Sequence, residues 1–493
     1  MNESTDYSGR HIVERLWVAG TLELVTPAHL GNGDAEALTD MPLLRDSVEN
    51  RALLTGTSLA GALRAWVREF DHGYGARERS GDRACTLFGT VRGQESVQSW
   101  LIVDDAFSAT EPQVTLRDGV ALCPATRTAE EGKKYDIELL EAGTAFSIEL
   151  ELLLPAGDSS VRQRLVETLA LALDALAKGE IGLGMRKRRG LGECRVTRWQ
   201  VCLYQLTTPE GLLGWLNEDR SGASTGQDIG ALLGVDLAVA RQADARKRFT
   251  IEACLALETS LLIRATASGS DAKDVAAPDV VHLHARRGDK DVPVVSGTSL
   301  TGALRARALR IANTLLDGQG ADLVDTMFGP RLKEDRARED RQPSGSRVVV
   351  RESAITGVDD RVQQRVKIDR FTGGAYPQAL FAEQPLFANE DSILHLWLEL
   401  RAPQDHEIGL LLLVLKDLWT GDLPLGGESS VGRGRMQGRR ATLVVRDRGS
   451  QWRWTLEQRQ PESPALVFGG DREPGELERY VEALHKYAAG RVA

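Results

Sequence analysis

The residues best suited to chemistry are loop carboxylates lying near hydroxyl-rich turns and glycine-rich cationic loops. Asp40 opens the segment Asp40-Met41-Pro42-Leu43-Leu44-Arg45-Asp46, which follows His29-Leu30-Gly31-Asn32-Gly33-Asp34. A carboxylate there can hold a hard cation near a phosphate or take the proton from a ribose 2′-hydroxyl; Asp is also a common turn residue. The turn Gly56-Thr57-Ser58-Leu59 can aim backbone N–H groups and the positive end of a helix dipole at an anion, or serve as a plain N-cap. Between Gly182 and Gly192 run four consecutive cations, Arg186, Lys187, Arg188 and Arg189, flanked by glycines that let a ligand approach the backbone. Neither this loop nor its later counterpart fits GxxxxGK[ST], which disfavours a nucleotide P-loop. No HExxH or Cys-His pairing is apparent in the sequence either.

These features occur twice. Gly56-Thr57-Ser58-Leu59-Ala60-Gly61-Ala62-Leu63-Arg64 reappears as Gly297-Thr298-Ser299-Leu300-Thr301-Gly302-Ala303-Leu304-Arg305, with eight of nine positions identical at an offset of 241 residues. Leu87-Phe88-Gly89 answers Met327-Phe328-Gly329 at an offset of 240, and Gly190-Leu191-Gly192 answers Gly432-Arg433-Gly434 at 242. Collinear landmarks at nearly constant spacing imply duplication of one domain. The second glycine-rich region adds Arg433, Arg435, Arg439, Arg440 and Arg446 against Glu428. Basic islands at matching places in an acidic chain are what a directed nucleic-acid groove needs.

The elements that must position these residues follow from periodicity. Leu16, Val18, Leu22 and Leu24 alternate as in a half-buried strand, and so do Phe249, Ile251, Ala253, Leu255 and Leu257. A short apolar stretch (Ala52 to Leu54; Val292 to Val295) precedes each GTSL helix, whose first copy carries Leu59, Leu63, Trp66 and Phe70 on one face. A second helix starts at Asp158 or Ser159 and closes at Gly179; its partner runs from Asp405 to Trp419. Strands with two helices per copy predict an α+β fold with helices on one face of an antiparallel, ferredoxin-like sheet. The expected boundaries are 1–205 and 249–447 for the copies, 206–248 for a polar linker and 448–493 for an extension with a helix from Pro474 to Ala489. Arg331 to Arg347 reads as a charged, solvated insertion.

Composition narrows the class. The 493 residues suggest several domains, and 42% hydrophobic with 27% charged residues fits a globular chain. The longest strongly apolar run, Ile408 to Leu415, is far short of the roughly 20 residues that span a bilayer. MNESTDYSGRHIVERL shows no secretory pattern, which predicts a cytoplasmic protein. Five scattered cysteines without a CxxC argue against disulfides or a zinc site. The net charge of −10 disfavours indiscriminate polyanion binding.

The combination of an opening strand, His-x-Gly-x-Gly, Asp-x-Pro-x-x-Arg-Asp, GTSLxGxLR, LFG, the strand Val103-Asp104-Asp105-Ala106 and a glycine-rich loop resembles the RAMP superfamily of CRISPR-associated proteins. It is similar in particular to backbone subunits of type III effector complexes, and two fused copies resemble the III-D arrangement. The resemblance implies tandem RRM-like domains with inserted thumb segments (near Arg127 to Ala145 and Val366 to Phe381), bound to guide CRISPR RNA in a complex with other type III subunits. It implies cleavage of target RNA at loop acids with a divalent metal, Mg2+ or Mn2+. Asp40 matches the family's catalytic aspartate; Asp279 is its best counterpart, with Asp274 a rival, because Leu262-Ile263-Arg264-Ala265-Thr266 replaces the His-x-Gly-x-Gly loop. The implied RNA-binding set is Gly56, Thr57, Ser58, Arg64, Arg186, Lys187, Arg188, Arg189, Gly297, Thr298, Ser299, Arg305, Arg433 and Arg435. Two alternatives stand beside an RNA-cutting subunit: a purely architectural RNA-binding subunit, and a guide-processing nuclease using His29, His282 or His284.

Overall fold

A computed structural model describes residues 10–33, 39–79, 81–90, 97–123, 126, 128–157, 159–265, 278–330, 344–458 and 466–492. The chain divides into two compact units. The first comprises residues 1–115, 138–185 and 192–246; the second takes 116–137, 186–191 and 247–493.

In the first unit, strands are ordered Leu101–Val103, Ala145–Pro155, Ile12–Leu24, Cys194–Gln205, Ser224–Gly226, all antiparallel. With helices Gly56–His72 and Ser159–Ala177 inserted after the first and third strands, this is the ferredoxin-like βαββαβ order. Leu16, Val18, Leu22 and Leu24 enter one core with Leu59, Leu63, Trp66 and Phe70 of the first helix and Leu165, Leu169, Leu173 and Leu176 of the second. Each such buried side chain contributes about 1.5–3 kcal/mol. Gly20 lies at a bulge in the opening strand, where a Cβ would stand 2.8 Å from the Trp199 ring.

The expected linker belongs largely to this unit. Trp215 and Leu206 pack with Trp17, Cys202 and Tyr204 on the other sheet face, and Ser224–Gly226 adds an edge strand. Ile229 is buried, and Arg246 stacks 4.7 Å over Trp66 while pairing with Glu180 at 3.0 Å. The polar composition of residues 217–226 hid anchors spaced too widely to show a period.

The second unit repeats the strand order, with Val348–Val350 and Ser353–Asp360, then Leu386–Arg401, Arg248–Leu257 and Met436–Asp447. Helices Gly297–Leu315 and Asp405–Trp419 and all five alternating residues from Phe249 to Leu257 join its core. The expected extension is integral here too: Ser450–Glu457 and Val467–Gly470 widen the sheet, and helix Gly475–Val492 lies on Asp405–Trp419. At their crossing Gly409 permits the approach, since a Cβ would fall 2.2 Å from Tyr480 O.

The two segments expected as thumbs fall on hairpins. Val114–Leu122 pairs with Ala129–Leu140, and Gln363–Ile368 pairs with Ala375–Gln384. Residues 331–343 of the charged insertion lie outside the described residues. Arg347, expected to be solvated, instead donates to Glu407 and to Ala402 O, because a buried carboxylate at a helix start needs a cation.

Candidate functional site

Both GTSL turns are N-caps first. Thr55 Oγ1 accepts from Ser58 N at 3.3 Å, and Ser296 Oγ accepts from Ser299 N at 3.3 Å. Gly56 N donates to Asp105 Oδ1 at 2.7 Å, so a carboxylate of the chain already holds an amide that a phosphate would use. Gly56 is glycine because a Cβ would meet Val103 O at 2.1 Å; at Gly297 it would meet Arg189 O at 2.3 Å and Val350 O at 2.8 Å. Both glycines, assigned above to RNA, are positions of close backbone approach. Thr57 and Ser58 stay exposed, whereas Thr298 and Ser299 are half-buried.

The arginines closing the repeated motif also look inward. Arg64 forks onto Glu78 at 2.8 and 2.6 Å and donates to Gly89 O at 3.0 Å. Arg305 donates to Gly329 O at 2.6 Å and to Asp325 Oδ1 at 2.5 Å. In each copy the guanidinium ties the GTSL helix to the LFG glycine, whose φ is +77° or +86°. The structure therefore gives Arg64 and Arg305, expected to contact RNA, a structural task.

The glycine-rich loops share one backbone. Arg186 and Glu428 both have left-handed φ (57° and 58°), and so do Gly190 and Gly432 (84° and 88°). Leu183 N donates to Gly192 O and Leu425 N to Gly434 O, each at 2.9 Å. The charges differ, since Arg186-Lys187-Arg188-Arg189 faces Glu428-Ser429-Ser430-Val431. Lys187 and Arg189 are exposed; Arg186 donates to Tyr135 Oη at 2.5 Å and lies over its ring, and Arg188 donates to Ser346 O at 2.6 Å. Partial desolvation, then the like charge of Arg186, push the Arg189 guanidinium below its ordinary pKa.

Arg433 is not available to RNA. Its side chain is 3% exposed, pairs with Glu428 at 3.3 Å and Glu383 at 3.4 Å, and donates to Gln363 Oε1 at 2.8 Å. Arg365 and Arg264 complete the cluster, reaching Glu428 at 3.0 and 3.3 Å. Burial, then the hydrogen bond and charge of Glu428, raise the Glu383 carboxyl above its usual range. Arg435 is exposed. The sequence offered one hint of this cluster, a carboxylate at the place where the other loop has Arg186.

The acids occupy equivalent positions. In the first unit the loop amide Met185 N donates to His29 O; two residues on, Gly31 bridges Leu43, three residues after Asp40. In the second, Gly427 N donates to Leu262 O; two residues on, Arg264 pairs with His282, three residues after Asp279. Both acids are exposed. Asp279 Oδ2 accepts from Ala382 N at 2.9 Å. Asp34 and Asp274 lie outside the described residues. His29 and His282 are buried against backbone. His282 Nδ1 accepts from Ile263 N and Nε2–H donates to Val294 O, and burial lowers its pKa to about 4.

The sequence matches the RAMP superfamily over residues 21–195 and 255–437. The chain belongs to the RAMP superfamily. Each match begins inside an opening strand and ends inside the strand after a glycine-rich loop, so this RAMP protein carries the domain twice. Membership makes it a CRISPR-associated protein and points to RNA binding among the subunits of an effector complex. No curated protein matches the chain significantly. No helix among the described residues is long and apolar enough to cross a membrane.

Proposed function

We propose that this protein is a guide-RNA-binding backbone subunit of a type III, III-D-like effector complex, and that it cuts complementary target RNA at Asp40 and Asp279. The observation that carries the reading is the shared register of the two acids: each lies three residues before the residue that pairs with the segment under its glycine-rich loop. Lys187, Arg189 and Arg435 are the exposed cations suited to the RNA backbone.

Chemically, a carboxylate beside a splayed nucleotide would accept the 2′-hydroxyl proton while that oxygen attacks the adjacent phosphate in line and the P–O5′ bond breaks, giving a 2′,3′-cyclic phosphate and a 5′-oxygen that takes its proton from water. Among the described residues no group of three or more His, Cys, Asp or Glu could hold a metal. The described residues thus build no complete cage by themselves, and a Mg2+ or Mn2+ ion at Asp40 or Asp279 would draw further ligands from phosphate oxygens and water. Asp279 would offer Oδ1, because Oδ2 accepts from Ala382 N.

The test is reconstitution with guide RNA and complementary target. Asp40→Asn and Asp279→Asn should each abolish one set of cut positions while guide affinity stays within about twofold, the spread of an uncharged surface change. Unchanged cutting in the double variant would remove these residues from the chemistry. A wild type that binds guide and target but never cuts would favour the architectural reading, which the tied-down Asp279 carboxylate also favours.

A further inference from the structure

The second unit contains a contact whose counterpart in the first unit is uncovered. Within the second unit, loop 186–191 sits on the junction of Val348–Val350 with the Gly297 helix. Arg189 O covers Gly297, and Gly190 lies so close to Glu352 N that a Cβ would stand 2.3 Å away. Glu352, 1% exposed in its side chain, pairs with Arg117 at 2.5 Å and Arg287 at 2.6 Å. The same junction in the first unit is Thr55–Ser58 with Val103, Asp104 and Asp105. There Thr57, Ser58, Asp104 and Asp105 are all exposed, while Thr298, Ser299 and Glu352 are half-buried or buried.

Charge selects what can cover it. The junction presents Asp104 and Asp105 with Glu149 and Glu151 nearby, and desolvation together with these like charges raises the Asp104 carboxyl above its usual range. A loop resembling 186–191 would bring to it the exposed cations that stand at Lys187 and Arg189. The chain's other glycine-rich loop has the matching backbone and an open Gly432, with nothing within 4 Å of its Cβ position, but it carries Glu428, Ser429, Ser430 and Val431 in the cationic places. It has the shape of a docking loop without the charge.

Resting on the reading as a backbone subunit, we propose that the Thr55–Ser58 and Asp104–Asp105 junction is a docking face for a separate RAMP-type subunit bearing a cationic glycine-rich loop, and that loop charge prevents a second copy of this chain from taking the place. A head-to-tail contact of this kind would otherwise propagate into an open filament.

The test is a gain of self-association in the full-length chain, followed by sedimentation. Wild type is expected to stay monomeric. The variant Ser429→Lys, Ser430→Arg, Val431→Arg is expected to associate with rising concentration, at least about tenfold more tightly than wild type, as steered charge pairs do. Adding Asp104→Lys should reverse it, and Ser429→Glu, Ser430→Glu, Val431→Glu should remain monomeric. Melting temperatures confirm that each variant is folded. Self-association of wild type, or a folded cationic variant that stays monomeric, overturns the proposal. Guide-RNA affinity, measured separately on the same proteins, reports on the backbone-subunit reading independently of docking.

Discussion

Replacing Arg433 by Met separates an RNA contact from a structural cation. Arg433 is the most enclosed member of a cluster in which three guanidinium groups surround the carboxylates of Glu383 and Glu428. Breaking a buried ion pair costs about 3–5 kcal/mol because the partner charge is stranded. Here Arg365 remains at 3.4 Å from Glu383 and 3.0 Å from Glu428 and neither carboxylate is stranded, so the cost falls below that range, to about 2–3 kcal/mol. For a unit of this size that corresponds to a fall in Tm of about 5–10 °C. The cost should depend on pH with a definite sign. Burial and Glu428 already hold the Glu383 carboxyl above its ordinary value, and loss of Arg433 raises it further. The folded variant then binds more protons than its unfolded chain around pH 5, so its deficit against wild type grows as pH rises toward 8, by about 1.4 kcal/mol per unit of added shift. Urea unfolding of both proteins at pH 5 and 8 measures this. An unchanged midpoint together with a marked loss of guide affinity would show that Arg433 contacts RNA after all, and would refute the argument from burial.

Gly190→Ala and Gly432→Ala form a matched pair, since both positions have φ near +85° but only Gly190 has a neighbour in the way. Gly432→Ala should cost about 1–2 kcal/mol for the left-handed backbone alone, and Gly190→Ala about 1–3 kcal/mol more for the clash with Glu352 N; equal costs in urea melts would dismiss that contact. His282 is held neutral by burial, its pKa lowered from 6.5 to about 4. Its contribution is therefore intact above about pH 6.5 and is lost as pH falls toward 4, by about 3 kcal/mol in all. Wild type should lose that much more than His282→Asn across this window, and parallel stability curves would contradict it. Arg64→Ala, which strands Glu78 and the Gly89 carbonyl, should lower stability by about 1–3 kcal/mol and leave the guide affinity of the folded protein nearly unchanged in a filter-binding assay.

The fold was legible because its instructions are local and written twice. Alternation at Leu16–Leu24 and Phe249–Leu257 and the spacing of Leu59, Leu63, Trp66 and Phe70 each report one buried face, and those faces are the ones that meet in the cores. The strap formed by residues 206–246 was illegible for the opposite reason. Its hold on the first unit comes from scattered side chains, Trp215 under Arg15, Ile229 in the core and Arg246 against Trp66, with no period to betray them. The site was legible in part. The family resemblance put Asp279 opposite Asp40 despite a spacing to the GTSL turn that differs by two residues, and pairing three residues downstream gives both the same register. A count of cations could not distinguish Arg433, enclosed by Glu428 of its own loop and Glu383 of a distant strand, from exposed Arg435 two residues on.

Identity between the copies and difference between them carry separate information. Gly56 and Gly297, Arg64 and Arg305, and Gly192 and Gly434 are alike because each solves the same packing problem in each unit: a helix start pressed on a strand end, a guanidinium bridging to a glycine carbonyl, a loop folded back on itself. Such positions identify a RAMP domain and say little about its ligand. The positions free to diverge on an unchanged backbone are Arg186 to Arg189 against Glu428 to Val431, and Asp105 against Glu352. One loop became a cationic surface and its twin a neutral one bound to an internal salt-bridge cluster. One acid caps its own helix, while the other receives two arginines. Since the scaffold is held constant by the shared residues, these substitutions change charge without changing shape. Discrimination among RNA and protein neighbours is therefore expected to follow from exchanging loop residues between the copies, whereas substituting the shared glycines and arginines would alter stability alone.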